Sequence, residues 1–344
     1  MTITILTGCC LSILSTLPDQ SINTCITSPP YWGLRDYGQP GQLGLEPTPE
    51  EYVANIVKVF REVRRVLRDD GTLWLNLGDS YQNAKGQSGG IDPKQPARRH
   101  GLRPQDKSIP GLKPKDLVGI PWRVAFALQA DGWYLRQDVI WHKPNPMPES
   151  VTDRPTKSHE YIFLLSKSER YHYDHEAIRE PATHSSITRW QQDIDSQEGS
   201  HRANGGQKSN GTMKAVGGPR RGEKQRGHSR RHDGFNDRWD GMTKEEQAAM
   251  GRNKRSVWTV ATKPFSEAHF ATFPPELIEP CILAGCPAGG TILDPFFGAG
   301  TTGLVAARHQ RHCIGIELNP DYVQLAQRRI SDDCGMFADV IVAA

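Results

Sequence analysis

The sequence predicts an α/β fold with a mostly parallel sheet covered by helices on both faces. Short apolar runs alternate with helical stretches in both the N-terminal and the C-terminal part of the chain. Two of these runs end at clusters of turn-forming residues, SPP at 28–30 and DPFFGAG at 294–300. Such alternation buries a parallel sheet, because each crossover lays a helix over one of its faces. At 344 residues the chain can bury a full core of this kind and still carry one further region.

The elements follow in order. A first strand ends at Thr7-Gly8-Cys9, and Ser21–Thr27 (SINTCIT) is a buried strand closed by a proline pair. Glu50–Leu67 is a helix, with Tyr52, Val53, Ile56, Val57, Phe60, Val63 and Leu67 on one face. Asp70-Gly71 is a turn, and Thr72–Leu77 is the next strand. Helix Val118–Ala130 and strands Tyr134–Trp141 and Tyr161–Ser166 continue the series. Toward the C-terminus, helix Glu276–Ala284, strand Thr291–Asp294, helix Thr301–Arg308, strand Cys313–Glu317 and helix Pro320–Ile330 repeat it. Asn319 before Pro320 is a good helix start, an N-cap followed by a residue with its φ already helical.

Two stretches break the pattern. Residues 83–115 are rich in Gly, Pro, Lys and Arg, and 171–255 is long and polar. Between 201 and 255 there are fourteen Lys and Arg against six Asp and Glu, a net of +8 against +3 for the whole chain. The rest of the molecule is therefore net acidic. On composition alone this is either a solvated insertion or a phosphate-contacting region. In the second case Arg220, Arg221, Arg230, Arg231, Lys254 and Arg255 supply the charge, with Trp190, Phe235 and Trp239 as anchors.

Several classes are set aside. The N-terminus lacks the basic flank and small-residue cleavage site of a secretory signal, and no apolar run approaches the roughly 18 residues of a membrane span. Seven cysteines with no CxxC pair read as reduced thiols of a soluble, cytoplasmic protein. His172 and His175 have no companion ligands, so no metal site is expected.

The first chemical constellation is Asp294-Pro295-Phe296-Phe297-Gly298-Ala299-Gly300-Thr301, directly after a strand and opening a helix. Gly298 and Gly300 let a ligand approach the backbone, and Glu317 ends the next strand, where its carboxylate can accept from ribose hydroxyls. The pattern lacks both the P-loop lysine and the GxGxxG spacing. An adenosyl ligand without phosphates therefore fits better than a nucleotide.

The second constellation is Thr27-Ser28-Pro29-Pro30-Tyr31-Trp32, again at a strand end. An exocyclic base amine is a poor nucleophile, because its lone pair is delocalised into the ring. Acceptors that grip its hydrogens let the nitrogen pyramidalise. Ser28 Oγ and the Pro29 carbonyl suit that task, Pro30 stiffens the loop, and Tyr31 offers a face to an extruded base. Preorganised contacts of this type contribute about 2.7–4 kcal/mol each. Alone, the tetrapeptide reads equally as a polyproline turn.

SPPYW preceding DPFFGAGTTG resembles the β group of DNA amino-methyltransferases, a permuted set in which the catalytic loop comes before the cofactor loop. The resemblance extends to Trp141–Pro148 (WHKPNPMP), Asp153–Pro155, His159–Ile162 (HEYI) and His269–Pro274 (HFATFP). It implies a class I S-adenosylmethionine-dependent methyltransferase fold, a seven-stranded sheet whose last strand is antiparallel. It also implies S-adenosylmethionine in the Asp294–Thr301 loop with its ribose on Glu317, and His269 and Phe273 bordering its methionine end. On this resemblance 1–175 is the catalytic half, 176–255 the target-recognition insertion and 256–344 the cofactor half.

The implied reaction is site-specific methylation of double-stranded DNA by base flipping and direct transfer, leaving S-adenosylhomocysteine. Cytosine N4 is the expected target; adenine N6 is the alternative, because adenine enzymes of the group often carry Asp at the position of Ser28. An RNA methyltransferase and a catalytically silent DNA binder are further readings, and a cognate restriction endonuclease is an expected partner. Pro280-Cys281 matches the Pro-Cys pair of C5 methylation, but lies in a helical pattern and reads as a buried thiol. One departure stands out: the group often has Gly-Asp at the N-terminal strand end, where this chain has Gly8-Cys9.

Overall fold

The computed structural model describes residues 1–82, 108–182, 242–243, 246, 250–263 and 272–343. Its described residues fall into two compact units, 1–177 with 255–344, and 178–254. The strands, in chain order, are β1 (Thr2–Thr7), β2 (Ile22–Thr27), β3 (Leu67–Leu77), β4 (Tyr134–His142), β5 (His159–Ser166), β6 (Val257–Thr259), β7 (Thr291–Asp294), β8 (His312–Glu317) and β9 (Asp339–Ala343). The helices are α1 (Cys10–Leu14), α2 (Pro49–Val66), α3 (Ile120–Ala130), α4 (Pro275–Gly285), α5 (Thr301–Arg308) and α6 (Pro320–Cys334).

The nine strands among the described residues join one sheet in the order β6-β4-β5-β3-β2-β7-β8-β1-β9. Only β5 runs against the others, pairing antiparallel with β3 on one side and β4 on the other. The expected seven strands are present, with β6 and β9 added at the edges. β6 has three residues and β9 five, too short for periodicity to register. A second difference concerns the expected turn at Asp70-Gly71. Those residues lie inside β3, where the pairing with β2 slips between Ile22 and Thr24. A bulge absorbs the turn-forming residues without ending the strand.

Alternation along β3 explains the layering. Leu73, Leu75 and Leu77 join Tyr52, Ile56, Phe60 and Val63 of α2 and Val124 and Leu128 of α3 in one apolar core. On the opposite face, Thr72 and Trp74 meet α4 so closely that a Cβ on Gly285 would lie 2.8 Å from the Trp74 indole nitrogen. α2 starts where Thr48 accepts from the Glu51 amide at 3.2 Å, with Pro49 next. α6 starts in the same way at Asn319, whose side chain accepts from the Asp321 amide at 2.9 Å. Cys281 lies within α4 and is 1 % exposed, a core residue remote from any strand end.

No described helix is long and apolar enough to cross a membrane. The parallel pairing of β2 with β7 puts the ends of both strands, and so both motifs, on one edge of the sheet.

Candidate active site

The site is built on neighbouring strand ends. β2 delivers Thr27 and Ser28, β7 delivers Asp294, and β8 delivers Glu317. The two central loops are joined directly: Thr27 Oγ1 donates to Asp294 Oδ1 at 2.6 Å. The same carboxylate accepts from the Phe296 amide at 3.1 Å and from Thr302 Oγ1 at 2.6 Å. Burial drives the Asp294 carboxyl up to about 6 against the lowering effect of these bonds. Asp294 thus pins the glycine loop to the Ser28 strand and to the first turn of α5.

The glycine loop is shaped for a ligand. Gly298 and Gly300 have φ of 53° and 74°, conformations that suit glycine. A Cβ on Gly298 would meet nothing within 4 Å, so the turn faces open space. A Cβ on Gly300 would come within 2.8 Å of Ala326, so that glycine lets α6 approach. Glu317 Oε2 accepts from the Gly298 amide at 2.7 Å and Oε1 from the Asn319 amide at 2.8 Å. Burial raises the Glu317 carboxyl, and these bonds oppose it. An oriented acid beside an open glycine turn is an arrangement that could hold a ligand carrying adjacent hydroxyls.

Pro295 is buried and Phe296 half-buried in this loop. The Thr301 hydroxyl is held from α6 by Arg329 Nη1 at 2.9 Å. Phe273 is half-buried just ahead of α4. His269 lies outside the described residues.

Where the group usually has an acid, Gly8 donates its amide to the Glu317 carbonyl at 2.8 Å, and Cys9 is an exposed residue opening α1. Arg35, Tyr37 and Tyr322 lie within electrostatic reach of one another, and Glu317 within reach of both tyrosines. Burial lifts the Tyr322 phenol to about 12, and nearby Tyr37 and Glu317 push the same way. Two phenols and a guanidinium therefore lie near the Glu317 carboxylate.

The catalytic-loop motif is equally well held. Pro29 is buried, and the Pro30 carbonyl accepts from Tyr52 Oη of α2 at 2.9 Å. Trp32 donates its indole N–H to the Glu46 carbonyl at 2.9 Å. Ser28 Oγ donates to Tyr31 Oη at 3.3 Å, and Tyr31 Oη donates to Glu160 Oε2 at 2.8 Å or Asn76 Oδ1 at 3.0 Å. Asn76 Nδ2 donates to the Tyr161 carbonyl at 3.1 Å, which fixes the amide's orientation. Lys143 pairs with Glu160 Oε1 and lies 4.2 Å from the centre of the Trp141 ring. Burial first, and the Glu160 charge second, push the Tyr31 phenol well above its ordinary value. One face of the Tyr31 ring is covered by Gly78, where a Cβ would lie 2.7 Å from Cδ2 of the ring.

Sequence reasoning places Ser28 and Tyr31 at a strand end but gives no role to Asn76, Lys143 or Glu160. The last two lie in segments that carry the family resemblance, which is the available signal. Of the basic residues, Arg220, Arg221, Arg230 and Arg231 lie outside the described residues, as do Trp190, Phe235 and Trp239. Lys254 lies 3.6 Å from Glu180 Oε1, and the Arg255 carbonyl accepts from the Trp258 indole at 2.7 Å.

Known proteins share this arrangement of motifs. The N6/N4 methyltransferase family, described as DNA methylase, matches residues 22–328. The chain belongs to this family.

The relatives agree with the assignment. The methylase is 46% identical to the type II methyltransferase M.Cfr9I of Citrobacter freundii, over 96% of this chain and 88% of that protein. It is 47% identical to the type II methyltransferase M.XycI of Xanthomonas campestris pv. cyanopsidis, over 95% of this chain and 87% of that protein. Among solved structures, a putative DNA modification methylase from Thermus thermophilus, complexed with S-adenosyl-L-methionine, superposes with a TM-score of 0.55 at 21% identity. That match covers 99% of this chain and 100% of the other. The PvuII DNA methyltransferase (cytosine-N4-specific) gives 0.58 at 17% identity, covering 99% and 95%. The fold is that of the S-adenosylmethionine-dependent DNA methyltransferases, and S-adenosylmethionine is the family's methyl donor.

Proposed function

We propose that this methylase is a site-specific cytosine-N4 DNA methyltransferase, acting on duplex DNA beside a cognate restriction endonuclease. The observation that carries the cytosine assignment is Ser28 itself. Its hydroxyl hydrogen is directed at Tyr31, so its lone pairs are available to a base amine. The adenine enzymes of the group often carry Asp at this position; here the hydroxyl of Ser28 is backed by Tyr31, which bonds Glu160.

S-adenosylmethionine, when bound, supplies a methyl group on a sulfonium that a weak nitrogen nucleophile can take directly. The chain's own residues do the rest. Glu317 and the Gly298 turn hold the adenosyl end, and Asp294 sets the distance between that loop and Ser28. Ser28 Oγ and the Pro29 carbonyl accept the two amine hydrogens, which favours a pyramidal nitrogen. Tyr31 stacks on the flipped base with the ring face away from Gly78. The basic insertion at 176–255, with Arg220, Arg221, Arg230, Arg231, Lys254 and Arg255, grips the phosphates and carries the side chains that read bases. The type II names of the relatives support a nuclease partner.

The test is incubation with methyl-labelled S-adenosylmethionine and mixed-sequence duplex DNA, followed by digestion to nucleosides and mass spectrometry. Label on N4-methylcytosine is expected. Label on N6-methyladenine overturns the base assignment and leaves the family intact.

A further inference from the structure

Behind Ser28 lies a directed chain of hydrogen bonds that the grip on the amine does not use. Ser28 donates to Tyr31 at 3.3 Å and Tyr31 donates to Glu160 at 2.8 Å. Every hydrogen along it points away from the substrate side. Tyr31 has a second acceptor in Asn76 Oδ1 at 3.0 Å, but an amide oxygen is a poor base and Glu160 is the first group able to keep a proton. Glu160 and Lys143 have side chains only 16% and 18% exposed, so the pair is screened from bulk solvent. Lys143 pairs with one oxygen of Glu160, which leaves Oε2 to face Tyr31. The high Tyr31 phenol stays protonated and can pass a proton without resting as a phenolate.

We infer that Glu160 is the sink for the proton released on methyl transfer, reached from the base amine through the hydroxyls of Ser28 and Tyr31. This rests on the assignment of Ser28 as an amine acceptor. As the N–CH3 bond forms and the S–CH3 bond breaks, with its electron pair left on sulfur, the nitrogen must lose one hydrogen. That proton passes to Ser28 Oγ, the Ser28 hydrogen to Tyr31 Oη, and the Tyr31 hydrogen to Glu160 Oε2. Glu160 ends neutral and returns its proton to solvent after product release. Glu160 is a positioning and relay residue, since it never touches the base.

The charged and titratable groups that face Glu160 are Lys143 at the end of β4, Lys157 and His159 around the start of β5, and Tyr31. The experiment measures initial rates of transfer from labelled S-adenosylmethionine to mixed-sequence duplex DNA across pH. It compares the full chain with Ser28→Ala, Tyr31→Phe, Glu160→Gln and Glu160→Asp, with equilibrium cofactor binding measured for each. Glu160→Gln and Tyr31→Phe are expected to bind cofactor normally and to lose about 10²–10⁴-fold in rate at neutral pH, the range of general acid–base assistance. The wild-type rate is expected to fall at acid pH, as transfer to a carboxylate base requires. Both variants lose that acid limb although His159 is intact, and Glu160→Asp recovers part of the rate. In the free protein, a slowly exchanging hydroxyl proton is expected by NMR, lost in Tyr31→Phe and shifted in Glu160→Gln.

Wild-type rates in Tyr31→Phe and Glu160→Gln alongside an inactive Ser28→Ala overturn the relay and leave the Ser28 assignment standing. An active Ser28→Ala overturns that assignment and the relay with it. Slow variants that keep the wild-type acid limb reduce Glu160 to a scaffold, which also overturns the relay. Should Glu160→Gln fail to bind cofactor, Tyr31→Phe decides alone, because it removes one hydroxyl and keeps the ring.

Discussion

Thr27 and Asp294 are 267 residues apart in sequence and share a hydrogen bond of 2.6 Å between hydroxyl and carboxylate. Both side chains are about 1 % exposed. One carboxylate thus spaces the glycine loop after β7 from the Ser28 loop after β2. Its burial has a measurable consequence for pH dependence.

The Asp294 carboxyl sits near 6 in the folded protein against an ordinary value of 3.8. The folded value is raised, so its stabilising contribution is complete below 3.8 and is lost as pH rises through about 6. Two pH units correspond to at most about 3 kcal/mol. Urea unfolding at a series of pH values should show wild-type stability declining across this window relative to Asp294→Asn. Parallel pH profiles for the two proteins would exclude Asp294 as the titrating group.

Glu317 bonds two backbone amides, those of Gly298 and Asn319, through different oxygens. Glu317→Gln keeps one acceptor oxygen and loses the charge. A hydrogen bond to a charged group is worth about 1.5–3 kcal/mol, so cofactor affinity should weaken about 10- to 150-fold. Isothermal titration with S-adenosylmethionine measures this directly. Unchanged affinity would place the ribose elsewhere, beside Tyr37 or Tyr322.

Much of this arrangement is legible in the chain itself, for physical reasons that differ by element. α2 announces itself through apolar residues at helical spacing on one face, Tyr52, Val53, Ile56, Val57, Phe60 and Val63. β2 is followed by Ser28-Pro29-Pro30, β7 by Pro295 and β8 by Asn319-Pro320 after one residue, so local pattern suffices to place Ser28, the glycine loop and Glu317. α1, β6 and β9 escape, being short and, unlike the four-residue β7, not marked by a motif at their ends. Glu160 and Lys143 escape for another reason. Glu160 reaches Tyr31, and Lys143 reaches Glu160, only because β5 inserts antiparallel between β3 and β4, and no local pattern encodes the order of strands in a sheet. The Asp294 bond to Thr27 is similarly non-local, so local pattern marks the aspartate as part of a glycine loop while its carboxylate is spent on the scaffold.

Gly78 lies under the Tyr31 ring, where a Cβ would be 2.7 Å from Cδ2. Its own backbone is not in the left-handed region, so Gly78→Ala adds a methyl group without strain in φ. The ring must then move, and its hydroxyl with it, disturbing the bonds to Ser28, Asn76 and Glu160. Methyl transfer should fall at least about 10²-fold, since displacements near 1 Å are costly for positioned groups. Cofactor affinity should stay unchanged, because the glycine loop is on other strands. Equal loss of both would mean that the substitution perturbs the sheet as a whole.

The charge distribution makes a prediction independent of the active-site chemistry. Residues 201–255 carry a net of +8 while the remainder of the chain is net acidic, so affinity for DNA should come from this segment. Each phosphate neutralised releases condensed counterions, and the logarithm of affinity falls with the logarithm of salt by about 0.9 per contact. Replacing Arg220, Arg221, Arg230 and Arg231 together by alanine should flatten that slope by up to about 3.6 and weaken binding to all sequences alike. Fluorescence anisotropy with a labelled mixed-sequence duplex measures the slope, read between about 50 and 200 mM salt, where such contacts change affinity strongly. Cofactor binding, on the other compact unit, should not change. A slope equal to wild type would show that these arginines face solvent in the complex, and would move the phosphate contacts to the basic stretch at 83–115.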